Sequence, residues 1–304
     1  MLAYPEIAAR LFGVPLAIDV DKACAILSGY GARIVGADHL EIDGAALHRV
    51  GFEPAATRLG DRLGRTIEAR YGAETPVFDM VENVGVIGVQ GTLVQRGFHV
   101  GKSSGRTSYQ GIQTQLQRAA RDPRVRGVVL EIDSSGGEVA GMFETADMIA
   151  AVSAAKPTIA ILSETAASAA YLMASAARRI IVPETGIAGS IGAMMIHIDQ
   201  SKALEKAGVA VSIISSGRHK ADGSPLSALS DDVRSKAQAR VDATRQAFAE
   251  AVGSYRGTRM SAAQALATEA DIFTGAEAVA LGLADAVGNP NEAFSAFIAA
   301  VSRH

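Results

Sequence analysis

Residues 127–139 read GVVLEIDSSGGEV. Gly127–Asp133 is a nearly unbroken apolar run, the pattern of a strand covered on both faces. Ser134-Ser135-Gly136-Gly137 then turns the chain. Val139, Phe143, Ala146 and Ala150 follow at helical spacing, which predicts a helix over Val139–Val152. Strand, glycine turn and helix together make the repeating unit of an α/β domain on a mostly parallel sheet.

The same alternation extends in both directions. Upstream, Val84–Val89 predicts a strand and Gly111–Arg121 a helix. Downstream, strands are expected at Thr158–Leu162, Ile180–Val182 and Val211–Ile214, with a helix over Ser168–Ala177. A long helix should start after Ser230, a suitable N-cap, with Val233, Ala237, Val241, Thr244, Phe248 and Val252 as its apolar stripe. The start of the chain is weakly patterned. Pro5–Leu11, Val20–Leu27 and Ala45–Val50 look helical, and Thr57–Ala73 is arginine-rich and polar. The expected organisation is an N-terminal appendage over 1–82, a main domain over 83–288 and a helical tail over 289–304.

Composition narrows the function classes. Of 304 residues, 48 % are apolar and 20 % charged, an ordinary globular balance. The net charge of -3 provides no basic footprint, so nucleic acid is disfavoured as a partner. Cys24 is the only cysteine, so no intramolecular disulfide can form. The N-terminus has no basic stretch followed by a continuous apolar run, and no later segment reaches about 18 uninterrupted apolar residues. A cytoplasmic location without membrane insertion is expected. Spacings typical of metal ligands, Walker loops and dinucleotide fingerprints are missing, so neither a metal nor a cofactor is expected.

Three junctions carry candidate chemistry. The first is the Gly136-Gly137 turn, whose amide N–H groups at a helix start suit an anion, although a plain tight turn has the same sequence. The second is Ser168, set among Ala166, Ala167, Ala169 and Ala170 where a strand passes into a helix. An N-cap serine reads the same way, and Ser163, Thr165 and Ser175 are rival hydroxyls. The third is the polar loop Gly217–Pro225, which holds His219 and Lys220. A loop lysine is ordinarily a solvated charge, and a Ser–His pairing through His219 competes with a Ser–Lys one. No Gly-x-Ser-x-Gly elbow is present, against an α/β-hydrolase triad.

Taken together, GVVLEIDSSGGEV (127–139), ETAASAAYLMASAARRIIVPETGIAGSIGAM (164–194) and ISSGRHKADGSPLSALS (214–230) resemble the signature blocks of the signal peptide peptidase A family of serine peptidases. FTGAEA (273–278) with LGLAD (281–285) resembles that family's closing element. The family includes soluble phage capsid-maturation proteases and shares its fold with Clp protease and crotonase. The resemblance covers roughly Val84 to Gly288 in the family's order.

The resemblance implies an α/β Clp/crotonase-like fold, a mostly parallel sheet flanked by helices. It makes Ser168 the nucleophile and Lys220 the general base, with Ser190 positioning the lysine amine. Gly136 or Gly137, with the N–H of Ala169, would form the oxyanion hole. One departure is Ser134-Ser135, where the family usually has Ser-Pro. Lysine acts as a base only when neutral, so its pKa near 10.4 would have to fall, and burial among small apolar residues such as Ala166, Ala169 and Met194 is the expected means. The implied partners are a protein or peptide substrate, capsid or scaffold proteins, and further copies of the chain. The competing readings are a cytoplasmic signal-peptide-peptidase-like protease, a crotonase-like acyl-CoA enzyme, and a catalytically silent assembly module.

Overall fold

Strand and helix alternate from Val84 onward, as the apolar runs require. The computed structural model describes residues 12–18, 23, 77–97, 101–103 and 105–303. Its strands and helices, in chain order, begin with β1 (Leu16–Ile18), β2 (Asp79–Val81), β3 (Val84–Gln90), β4 (Thr92–Val94), β5 (Lys102–Ser103) and β6 (Arg106–Ser108). The central part is α1 (Tyr109–Arg121), β7 (Gly127–Ser134), β8 (Gly136–Glu138), α2 (Met142–Ala155), β9 (Thr158–Ala167), α3 (Ala169–Ser175), β10 (Arg179–Val182) and β11 (Ile187–Gly189). The chain closes with α4 (Ser201–Lys206), α5 (Asp231–Arg256), α6 (Ala262–Ala267), β12 (Ile272–Thr274), α7 (Gly275–Ala280), β13 (Ala286–Val287) and α8 (Pro290–Ser302).

The main sheet runs β12-β11-β9-β7-β3-β2. Its centre is parallel, and β2 and β12 are antiparallel edges. The early part of β9 pairs with β10 and its last residues pair with β11. A second sheet, β1-β8-β4-β6-β5, takes in the glycine turn as its strand β8.

Both faces of the main sheet are covered, which is why the central stretches of its strands are mostly apolar. Val128, Leu130 and Ile132 of β7 point into the large core with α1, α2, α3 and part of α5. Val129, Ile159, Ile161 and Ile181 point the other way, onto Phe294, Phe297 and Val301 of α8. Gly127 allows that close approach, because a Cβ there would meet Val301 at 2.9 Å.

Element boundaries differ from expectation where backbone chemistry intervenes. The helix expected from Val139 starts at Met142, because Gly141 takes a left-handed turn at φ 99°. The strand expected to stop at Leu162 continues through Ser-Glu-Thr-Ala-Ala to Ala167, its alanines held by β7 and β11 on either side. Ser230 caps α5 as expected, accepting the Val233 N–H at 3.4 Å. The strand expected at Val211–Ile214 does not form. The segment is exposed, and among the described residues no strand pairs with it, so its β-prone sequence has no ladder to join. The helices expected within residues 1–76, and Cys24, lie outside the described residues, except that Ala23 is helical and buried.

Candidate active site

Ser168 stands between the end of β9 and the start of α3, at φ 55° and ψ −124°. That φ is costly for a residue with a Cβ. Two backbone bonds hold it: the Ser168 N–H donates to the Gly189 carbonyl at 2.9 Å, and the Leu172 N–H donates to the Ser168 carbonyl at 3.0 Å. The side chain does not cap α3, which removes the N-cap reading. Ser168 is 1 % exposed, and among the described residues its Oγ has no hydrogen-bond partner. Leaving a buried hydroxyl unpaired costs about 1–3 kcal/mol, so strain and desolvation both act against the fold here. Two of the rival hydroxyls are committed elsewhere. Ser163 Oγ donates to Glu131 Oε1 at 3.3 Å and Ser175 Oγ to the Leu172 carbonyl at 2.6 Å, while Thr165 is half-buried along β9.

The glycine turn passes directly over this serine. The register of β7 against β9 shifts between Ile132 and Ser134, which sets Ser134 opposite Ala166. Gly136 then takes φ 93°, and a Cβ on it would lie 3.0 Å from Ser168 Cβ and 2.3 Å from the Ala17 carbonyl oxygen. Only a residue without a side chain permits that approach. At Gly137, held between β1 and β4, a Cβ would meet the Leu93 carbonyl oxygen at 1.9 Å. Ser134, 2 % exposed, braces the turn, its Oγ donating to the Gly91 carbonyl at 2.6 Å and accepting the Gly136 N–H at 3.1 Å. The Gly136 N–H is therefore engaged. Of the three expected oxyanion donors, the Ala169 N–H is the one that belongs to the unpaired first turn of a helix. Sequence reading missed Ser134 as a brace, although a serine two residues before a glycine at a strand end was visible.

Ser190 is brought beside this turn. Ala167 and Gly189 are register partners in β9 and β11, so Ser168 and Ser190 are the next residues along neighbouring parallel strands. Ser190 is half-buried, also at φ 55°, with its N–H donating to the Asp271 carbonyl at 2.7 Å.

Lys220 is not with them. It is exposed, in the turns at 217–223, and the expected burial among alanines is corrected. The reason is an arm. His197 Nε2 lies 3.2 Å from the Ser224 carbonyl and the Gln200 N–H donates to the Pro225 carbonyl at 2.8 Å, closing 197–225 at its base. Residues 205–220 are all exposed. The lysine's loop is fastened to the first turns of α5. His219 Nδ1 lies 3.0 Å from both Asp222 Oδ2 and Lys236 Nζ, and that amine bonds Asp232 Oδ2 at 2.6 Å. α5 itself is buried only at Phe248, Ala249, Val252 and Arg256. At 1.5 Å per residue, about 24 Å of helix separate Asp232 from Phe248. The same contacts remove the Ser–His pairing, because the His219 ring serves Asp222 and Lys236.

The far end of α5 is clamped under α3. The Arg256 side chain is fully buried and bonds the Gly282 carbonyl at 2.8 and 2.9 Å and the Asp285 carboxylate at 2.9 and 3.0 Å. Arg259 adds a bond to Asp285 at 3.0 Å and the Ile180 N–H another at 2.7 Å. Burial alone would raise the Asp285 carboxyl, but the hydrogen bond and charge of Arg256, helped by Ile180 and Arg259, hold it below the usual carboxylate range. Tyr171 of α3 donates to the Leu283 carbonyl at 3.0 Å.

The strand order defines the class: this is an α/β protein built on a mostly parallel sheet flanked by helices. The chain belongs to peptidase family S49, whose family model matches residues 150–301, and the Clp protease model matches 86–207. It is 46 % identical over 218 residues to Capsid assembly protease C of Escherichia phage lambda, covering 72 % of this chain and 49 % of that protein. It is 39 % identical over 299 residues to Head-tail preconnector protein GP5 of Enterobacteria phage P21, covering 98 % and 58 % respectively. The chain thus spans about half the length of the curated relatives it matches. Among solved structures, a ClpP1 variant from Listeria monocytogenes is similar at 12 % identity with a TM-score of 0.41, over 68 % of this chain and 92 % of that one. Among the described residues, no helix is long and apolar enough to cross a membrane.

Proposed function

We propose that the chain is a serine endopeptidase with Ser168 as nucleophile and Lys220 as general base, and that it cleaves capsid or scaffold proteins during phage head maturation. The observation that carries the chemistry is the buried, strained and unpaired Ser168 hydroxyl under a glycine turn. The biological setting is carried by the two phage relatives and family membership. In the reaction, Ser168 Oγ attacks a peptide carbonyl while the lysine takes its proton. The oxyanion lies against the Ala169 N–H at the start of α3, with the glycine turn above it. The lysine then returns the proton to the leaving amine, and water repeats the cycle on the acyl-enzyme.

The exposed arm determines how the base arrives. Its apolar residues Val209, Val211, Ile213 and Ile214 face solvent, Ile214 at 98 % exposure, and their alternation is that of a strand without a neighbour. We assign that neighbour to a second copy of the chain, whose serine receives this lysine. Ser190, beside the nucleophile, would accept the entering amine's hydrogen bond. The test is labelling of the assembled protein with a fluorophosphonate probe, followed by peptide mapping. Labelling at Ser168 that is lost in both Ser168→Ala and Lys220→Ala is expected. Wild-type proteolysis by Lys220→Ala would overturn the assignment of the base.

A further inference from the structure

The N-terminal strand β1 has an unusual position. On one edge it pairs antiparallel with the glycine turn, Ile18 opposite Gly136, Ala17 opposite Gly137 and Leu16 opposite Glu138. On the other edge it bonds the segment that follows Ser190. The Leu16 N–H donates to the Met194 carbonyl at 2.8 Å, the Met194 N–H to the Leu16 carbonyl at 2.9 Å, and the Gly13 N–H to the Ile196 carbonyl at 3.0 Å. A short extended peptide is therefore held by its main chain on both sides, between the two segments that flank the nucleophile.

Its register brings one carbonyl into the neighbourhood of the serine. The Ala17 carbonyl oxygen lies 2.3 Å, and Ser168 Cβ 3.0 Å, from the same point, the place a Cβ on Gly136 would occupy. The side chains alternate as a bound strand's do. Ala17, 1 % exposed, turns into the main core, while Leu16 and Ile18 form a separate apolar cluster with Val14, Met194 and Ile196.

We propose that residues 12–18 occupy the peptide-binding groove of this site as a substrate would, so that the resting chain carries its own plug. The proposal rests on the peptidase reading of Ser168. Main-chain pairing on an open strand edge supplies affinity without regard to sequence, and alternate side chains supply selectivity. The plug therefore defines the substrate class: an extended peptide with a small residue whose carbonyl meets Ser168 and apolar residues on either side. It stays whole in a single chain because no base reaches Ser168 Oγ there. Being tethered, it competes at an effective concentration on the order of millimolar.

The experiment compares the labelling rate of Ser168 by a fluorophosphonate in the full chain with that in Ala17→Glu and in Leu16→Pro, with Ser168→Ala as the blank. Glutamate cannot sit against the buried turn, and proline removes the N–H given to Met194. Both variants should label at least tenfold faster than wild type. A free peptide of residues 12–20 should slow them again, and the same peptide carrying Ala17→Arg should not. Equal labelling of wild type and both variants would overturn the plug while leaving the nucleophile in place. If nothing labels, yet the fluorescent peptide binds the variants and not wild type, the plug stands and the peptidase reading fails. Amide exchange on wild type gives a readout without substitution: Leu16 and Met194 should be protected together, and fast exchange at both would also overturn the proposal.

Discussion

The N–H of Ser168 donates to the carbonyl of Gly189 at 2.9 Å, which fixes the candidate nucleophile's backbone to the strand that leads into Ser190. The bond holds Ser168 at φ 55° against its own preference. The hydroxyl is aimed by this strain, and the cost of the strain can be measured.

Ser168→Ala should abolish probe labelling without lowering thermal stability, because it deletes a buried hydroxyl that bonds nothing. Ser168→Gly should be more stable than Ser168→Ala by about 1–3 kcal/mol, the cost of a side chain at such a φ. Denaturant unfolding of the two variants checks this. Equal stability would mean the backbone relaxes in solution.

Gly136→Ala should lower the rate of peptide cleavage roughly 10²-fold, the scale of a small misplacement of the reacting group, because its Cβ would stand 3.0 Å from Ser168 Cβ and push the nucleophile aside. The added methyl would collide with the Ala17 carbonyl oxygen, and the positive φ adds strain. Cleavage kinetics on a variant shown by circular dichroism to be folded separate lost catalysis from lost structure. Wild-type rates would show that the turn can move aside.

Mixing inactive Ser168→Ala with inactive Lys220→Ala should restore activity if each arm serves another copy's serine. Intact serine sites and intact lysine arms then meet only in mixed assemblies. Activity is read before and after the mixture is dissociated and reassembled. No recovery would mean that the arm folds back onto its own chain.

Asp285→Asn should destabilise the fold by about 3–5 kcal/mol at neutral pH, since it leaves the buried Arg256 without its counter-charge. The folded carboxyl lies below its unfolded value of about 3.9, so its contribution is complete above that pH. It is lost as pH falls through the folded value. Melting temperatures of wild type and variant should accordingly converge below about pH 4, and a gap independent of pH would contradict the assigned charge.

The parallel core was legible because a strand covered on both faces must be largely apolar, and Gly127–Asp133 and Thr158–Leu162 came close to that condition. Val211–Ile214 did too and forms no strand, since sequence records the propensity of a segment but not whether a neighbour exists. The joint pattern of motifs pointed to Ser168, yet its distinguishing property, a left-handed backbone, has no signature in a serine among alanines. Ser134 and β1 escaped for a related reason. One acts through a single hydroxyl bridging the Gly91 carbonyl and the Gly136 N–H, and the other lies in a region whose short apolar run is too brief to show a period.

The fully buried Arg256 anchors one end of α5, and the fastening of His219, Asp222 and Lys236 lies at the other. The intervening helix therefore acts as a ruler. Because its length sets how far the lysine stands from its own domain, it would, on the proposed exchange of arms between copies, also set the spacing at which those copies can be arranged and still complete a site. Inserting or removing two helical turns would preserve every local contact at both ends while altering that spacing by about 11 Å.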